Sequence, residues 1–184
     1  LWTCGELSRP NLSRLVSHMK TLAEVRVGFV GVGTMSAAIT RGSATLPHPP
    51  RAIHLSPRNA LKARGLEQEF PNLVRVSTSN QQVLDDSDLV FIGLLPAAVE
   101  EVATSLTFQP THTVCSLVST ASLESITRWC APAETVGRAI PLPAVARHRG
   151  TTLLTPPLPL IIAAFDALGS AVAVESEAQM RKMM

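Results

Sequence analysis

The sequence predicts an α/β chain built on a doubly wound, mostly parallel sheet, and three observations carry that prediction. Short apolar runs alternate with helix-like segments along most of the 184 residues. The first run, from Arg26 to Val32, is nearly all β-branched, aromatic or glycine, as expected of a strand buried on both faces. A glycine-rich turn, Gly28-Phe29-Val30-Gly31-Val32-Gly33, then leads directly into a helical segment.

That helix is expected over Thr34 to Arg41, with Met35, Ala38 and Ile39 toward the core and Gly42 as its stop. Ser43 to Pro50 reads as a loop, because three prolines in so short a stretch remove donors and bend the path. Next come a strand about Ala52 to Leu55, a helix from Asn59 to about Glu69, and a strand about Leu73 to Ser77. Val83 and Leu84 belong to a short helical element before the buried strand Leu89 to Ile92. Pro96 suits the first position of a helix reaching about Leu106, where its missing N–H costs nothing. Thr113 to Val118 follows as strand and Ser122 to Cys130 as helix, with the Ser122 hydroxyl as a candidate cap. Val136 to Ile140 and Thr151 to Leu154 are strand-like, Leu160 to Leu168 helical, and Ala171 to Val174 a last strand. Right-handed crossovers are expected to close a parallel sheet. Ser176 to Met184 starts like a helix, in which Met180, Met183 and Met184 form one candidate apolar face.

Composition bounds the function classes. With 46% hydrophobic and 16% charged residues the chain is a folded protein, not a disordered one. Sixteen Lys and Arg against fourteen Asp and Glu give a net charge of +2, and the cations form no basic stripe, so no nucleic-acid partner is expected. No apolar run reaches about 18 residues, so no membrane span is expected. Leu1 to Gly5 does not read as a secretory signal, and the glycosylation triplet at Asn11 reads as accidental. Three cysteines, Cys4, Cys115 and Cys130, show no paired or ligand spacing and suit a reducing, cytoplasmic compartment, with Cys115 a buried apolar side chain. The five histidines and the Asp85, Asp86 and Asp88 cluster have no metal-ligand pattern, so no metal is expected. His148, between Arg147 and Arg149, reads as part of a solvated cationic loop, the alternative being a receptor for a substrate carboxylate.

The glycine-rich turn carries the chemistry. A dinucleotide fingerprint needs one glycine for a tight turn, a second for close backbone approach to a pyrophosphate, and a third small residue where helix meets strand. Gly31, Gly33 and Ser36 occupy those places, and the amides at the start of the Thr34-Met35 helix would receive the anion. Ser36 is expected to hydrogen-bond locally or face the ligand. The fold is thus Rossmann-like. After the second strand, where a carboxylate ordinarily takes the ribose hydroxyls of NAD, stand Ser56, Arg58, Asn59 and Lys62. A guanidinium fork and a hydroxyl suit a 2′-phosphate, so NADP is the expected cofactor.

From about Val25 onward the chain resembles the amino-terminal NAD(P)-binding domain of the pyrroline-5-carboxylate reductases. Gly28 to Ile39 is similar to the family's GF-I/V-G-x-G-x-M-A-x-A-I, Ser56 to Lys62 to its S-x-R-x-x-x-K, and Gly93-Leu94-Leu95-Pro96 to its A-V-K-P. Looser matches run through Ser79 to Gln82, Ser116 to Leu123, Arg138 to Ala144 and Gly169 to Glu177. The resemblance implies NADPH-dependent reduction of the C=N bond of 1-pyrroline-5-carboxylate to L-proline, or a closely related imine reduction. It places Asn80 near the adenosine ribose and Leu94, Pro96, Ala97 and Ser119 along the cofactor. It also implies a cyclic imine acid as substrate, a homodimer or larger homo-oligomer, and a helical second domain whose motif does not occur before Met184. The expected organisation is an extension over 1–24, the NAD(P)-binding domain over 25–175, and the start of a linker or helix over 176–184. No catalytic residue is assigned. Leu95 stands where relatives carry Lys, Ser119-Thr120 where they carry Ala-Gly, and Leu142 in a shortened Asn-Thr loop, so substrate orientation is the part least carried over. Two alternatives follow: an oxidoreductase with another substrate, or a cofactor-binding regulatory or scaffolding protein without turnover.

Overall fold

The computed structural model describes residues 21–183. Cys4, the Asn11 triplet, His18, Met184 and most of the expected extension lie outside the described residues. A short 3-10 turn over Leu22–Glu24 leads into β1 (Arg26–Val30) and α1 (Thr34–Ala44). Then follow β2 (Ala52–Leu55), α2 (Ala60–Glu69), β3 (Val74–Val76), α3 (Asn80–Asp85) and β4 (Leu89–Ile92). The second half comprises α4 (Val99–Thr104), β5 (Thr113–Ser116), α5 (Leu123–Trp129), β6 (Thr135–Ile140), β7 (Thr151–Thr155), α6 (Pro159–Ala167), β8 (Ser170–Ala173) and α7 (Glu177–Met183).

One sheet takes all eight strands in the order β3-β2-β1-β4-β5-β6-β7-β8. Period-2 alternation sends Val27, Phe29, Leu89 and Phe91 into the core under α1, α2 and α6, and Val30, Val90 and Ile92 into the core under α3, α4 and α5. On the first face Phe29 stacks on Phe91 at 5.1 Å, and Phe165 of α6 meets Phe91 edge-on at 5.8 Å. With both faces covered, β1 and β4 read as unbroken apolar runs.

Helix entries follow the expected chemistry at several points. Asn59, Ser79 and Ser122 each accept a backbone N–H three residues on, from Lys62, Gln82 and Ser125. Asp88 grips the start of β1: its carboxylate accepts from the Arg26 amide at 2.8 Å and pairs with the Arg26 guanidinium. That pairing raises the Arg26 pKa.

Three expectations are corrected. The first helix does not stop at Gly42 but continues to Ala44, because Gly42 is the point where α1 touches the segment after β6. A Cβ at Gly42 would sit 2.4 Å from the Val145 carbonyl oxygen, so the glycine serves packing and not termination. The sheet is mostly parallel, as expected, the exception being β7, which runs antiparallel to β6. The link over residues 141–150, which holds only a short turn over Pro143–Arg147, falls short of the dozen or more residues that a parallel return needs. Pro96 begins a 3-10 turn over Pro96–Ala98, and the α-helix starts only at Val99. Finally, Met180 is buried while Met183 is 59% exposed, so of the expected apolar face only Met180 is buried among the described residues.

Burial fixes the character of the remaining candidates. Cys115 and Cys130 are both buried thiols; burial pushes Cys130 up to about 12 and Cys115 higher still, so both stay protonated. His148 adopts a left-handed conformation (φ 54°), and its Nε2 lies 2.8 Å from the Gly42 carbonyl oxygen near the end of α1. It is an exposed loop residue that closes a helix end, where a donor is favoured. His112 is buried, accepts the Gln109 amide on Nδ1 at 3.0 Å and meets Phe108 edge-on. Burial lowers its pKa, outweighing nearby Asp85.

Two predictions follow from this packing. Gly42→Ala destabilises by about 1–3 kcal/mol through overpacking against backbone, whereas Gly65→Ala, in an exposed helix interior with open space around it, stabilises by about 0.4–1 kcal/mol; urea midpoints measure both. Because the folded His112 pKa is depressed, the unfolded chain binds the extra proton. Stability therefore holds above the ordinary histidine value of about 6.5 and is lost as pH falls through the folded value. His112→Asn keeps an acceptor for the Gln109 amide but does not titrate, so the acid slope in urea midpoints shrinks to what half-buried His54, also lowered by burial, contributes.

Candidate functional site

Three strand ends meet at one cleft. The turn after β1, the loop after β4 and the start of α2 beyond β2 line a cavity of about 850 Å³. The sheet order places it where the chain reverses direction, between β1 and β4, at the carboxyl ends of the strands.

Gly31 forms the floor. Its φ of +94° is a region that side chains rarely adopt, and a Cβ there would lie 2.6 Å from the Gly93 carbonyl oxygen. Its N–H donates to Ser56 Oγ at 2.8 Å, and its carbonyl accepts from Ser36 Oγ at 2.7 Å. Ser36 thus satisfies its hydroxyl locally. The same hydroxyl requires a glycine at 93, where a Cβ would lie 2.2 Å from Ser36 Oγ. Gly33 is different. A Cβ there meets protein only at 3.8 Å, from Gly93 O, so a side chain at this position would occupy the cavity and not collide with the fold.

Gly33 also stands as the cap of α1, without a side-chain cap and with no acidic residue in the first turn. The amides of Thr34, Met35 and Ser36 have no intrahelical acceptor, since the helical ladder begins with Ala37 N–H to Gly33 O. Eleven residues of aligned peptide dipoles add positive potential at that end. The turn could therefore receive an anion, and its glycines leave room for a pyrophosphate.

Arg58 and Asn59 form the rim. The Asn59 side chain donates to the Val32 carbonyl at 3.1 Å while capping α2, which ties the start of α2 to the glycine turn. Arg58 is exposed, lines the cavity, and makes no ion pair among the described residues. Among the described residues no Asp or Glu lines the cavity.

Of the twelve residues expected to hold a cofactor, the structure brings Gly31, Gly33, Thr34, Met35, Arg58, Asn59, Leu94 and Ala97 to this cavity. Ser56 does not face it: the residue is buried, and its oxygen braces the Gly31 amide from below. Asn80 opens α3 beyond β3 and does not line the cavity, and Pro96 stands just outside it between Leu95 and Ala97. Ser119 is exposed on the loop after β5, with its carbonyl accepting from Arg138 at 2.7 Å. Lys62 is exposed on α2 away from the lining.

Leu95 and Leu117 line the cavity within the two turns expected to follow the cofactor, whereas sequence reasoning passed over Leu61 and named Gly93 only as the start of a family match. Leu61 and Leu95 are 87% and 77% exposed at the cavity, so apolar surface faces water there. Nothing local in the sequence marks Leu61 as a lining residue, since it lies on the outer side of an ordinary helix start. Among the described residues no group of three or more His, Cys, Asp or Glu could hold a metal, and no helix is long and apolar enough to cross a membrane.

Comparison with known proteins matches this geometry. The family model described as NADP oxidoreductase coenzyme F420-dependent matches residues 26–122, more than half of the chain. Pyrroline-5-carboxylate reductase of Pseudomonas aeruginosa is 26% identical over 131 residues, which cover 70% of this chain and 47% of that protein. The chain therefore spans about half the length of that curated relative. The crystal structure of 1-pyrroline-5-carboxylate reductase from Streptococcus pyogenes superposes with a TM-score of 0.71 at 22% identity, covering 85% of this chain and 60% of the other. Pyrroline carboxylate reductase of Plasmodium falciparum, solved with NADP bound, gives 0.71 at 12% identity, covering 86% and 60%. At such identities the superpositions show the fold: a Rossmann-like, mostly parallel sheet. The chain belongs to the NADP oxidoreductase coenzyme F420-dependent family, and along most of its length it is similar to the amino-terminal part of the pyrroline-5-carboxylate reductases.

Proposed function

We propose that this chain binds NADPH and serves as the cofactor-binding part of a reductase acting on the C=N bond of 1-pyrroline-5-carboxylate, or of a closely related cyclic imine acid. The observation that carries this reading is the cavity over the start of α1, where, among the described residues, Arg58 at the rim makes no ion pair and no carboxylate lines the wall. The amides of Thr34 to Ser36 would receive the diphosphate, and Arg58 the 2′-phosphate through paired charged donors. Asn59 holds the start of α2 against the glycine turn, and Ser56 holds the Gly31 amide. Leu61 and Leu95 would cover the apolar faces of the nucleotide.

Bound NADPH would supply hydride to an electrophilic imine carbon, with L-proline as the product when the substrate is 1-pyrroline-5-carboxylate. The chain's part in this reading is to bind, orient and screen the cofactor; it assigns no proton donor to a residue. The family and the NADP-bound Plasmodium relative support it. Further copies of the chain as partners, in a homodimer or larger oligomer in the cytoplasm, belong to the same proposal. A second reading, a regulatory or scaffolding protein that binds cofactor without turnover, is favoured by Leu142. It is 55% exposed and aliphatic where the resembled enzymes carry an amide.

NADPH consumption on addition of 1-pyrroline-5-carboxylate to the full-length protein tests turnover; tight NADPH binding with no consumption favours the second reading. For the cofactor itself, titration calorimetry is expected to show NADPH binding more tightly than NADH. Arg58→Ala lowers NADPH affinity about 10–100-fold, as loss of a charge-assisted contact does, and leaves NADH nearly unchanged. Equal parent affinities would overturn the Arg58 assignment. Ser56→Ala has a different signature. It strands the Gly31 N–H, costs about 1–3 kcal/mol of stability in urea unfolding, and weakens NADPH and NADH by the same factor.

A further inference from the structure

Arg138 is a charge inside the sheet. It sits on β6 with only 6% of its surface exposed, at a register position beside Ser116 of β5 and Thr155 of β7. A guanidinium so placed needs partners, because burial without them is costly. It has two. One nitrogen pairs with the Glu177 carboxylate of α7, and another donates to the Ser119 carbonyl at 2.7 Å. Its Nε has no hydrogen-bond partner among the described residues, so these two contacts carry the group. Burial, with nearby Arg181, lowers its pKa.

Glu177 is tied twice as well. The oxygen that meets Arg138 also accepts the Leu123 amide at 2.9 Å, at the first turn of α5. The segment between β5 and α5 is therefore held at two points by one carboxylate: directly at Leu123 where α5 begins, and through Arg138 at Ser119 within the segment. That segment begins with Leu117, which lines the cofactor cavity.

Strand order says which half of a dinucleotide would meet it. Arg58 follows β2, on one side of β1, while β5 lies two strands away from β1 on the other. At about 4.8 Å per strand, a ligand anchored at Arg58 and crossing the glycine turn brings its far half toward the loop after β5. The geometry points to Glu177 and Arg138 as positioning residues that hold the 117–123 segment in place for the nicotinamide half of the cofactor. This inference rests on the NADPH reading above.

The test separates the two halves of the ligand in the full chain. Titration calorimetry is run with NADPH and with adenosine 2′,5′-bisphosphate, which carries the 2′-phosphate but no nicotinamide. Glu177→Ala is expected to weaken NADPH about tenfold, a magnitude usual for coupling through a shared network, while the bisphosphate stays within about twofold. Glu177→Gln keeps an acceptor for Leu123 and for Arg138, and is expected to recover most of the loss. Arg138→Lys, which cannot span both acceptors, should resemble Glu177→Ala. Hydrogen exchange should rise at amides 117–123 and not at Gly31 to Ser36. An unchanged NADPH affinity, or equal losses for NADPH and bisphosphate, would overturn the positioning role. A parent chain that binds neither ligand would instead overturn the cofactor reading, and the inference with it.

Discussion

The backbone at Gly31 is the constraint on which the rest of the site depends. A positive φ turns the chain sharply out of β1, and three neighbours hold it: Ser56 below the amide, Ser36 on the carbonyl, and the Gly93 carbonyl where a side chain would stand. Each neighbour comes from a different part of the chain, so the turn belongs to three elements at once. Its consequence is preorganisation. The amides that open α1 are aimed before any anion arrives, and little ordering remains for a ligand to bring about.

Such a turn can be held only where strands end side by side. The order β3-β2-β1-β4 places the ends of β2 and β4 on either side of β1, which brings Ser56 and Gly93 against Gly31. Two apolar faces make that arrangement rigid. The stack of Phe29, Phe91 and Phe165 on one face, and Phe108, Ile126 and their neighbours on the other, leave β1 and β4 little freedom to shift. Gly42 plays a comparable part at the far side of α1, where a close approach to Val145 sets how the helix lies over the sheet.

The charged side chains divide by environment. Arg58 is exposed and without an acidic partner among the described residues, so a ligand phosphate would meet it with little competition. Arg138 is buried, and its charge is spent inside the protein on Glu177 and Ser119. Arg26 lies between these cases, paired with Asp88 at the opposite end of β1 from the glycine turn. One cation type thus serves as receptor, internal brace and strand fastening, according to how much water and how many acceptors surround it.

Much of this was legible in the sequence, because it rests on local patterns. Strand runs, proline and glycine punctuation, and the hydroxyl cap at Ser122 act over a few residues, so their identities alone announce the elements. The glycine spacing and the cations after the second strand likewise marked the cleft without coordinates. What failed locally depended on distant neighbours. Gly42 looked like a helix stop because its reason for being small is Val145, more than a hundred positions away. Ser56 looked like a ligand contact because the sequence does not show that Gly31 takes its hydroxyl. The direction of β7 came from a connection too short to cross over, and the role of Arg138 from a carboxylate on the last helix. By itself the sequence determined the elements, the glycine turn and the positive rim, since those follow from short-range sterics and charge. Tertiary structure alone decided which side chains face the cavity and which brace it, because long-range contacts choose the partner of each hydroxyl and each buried charge.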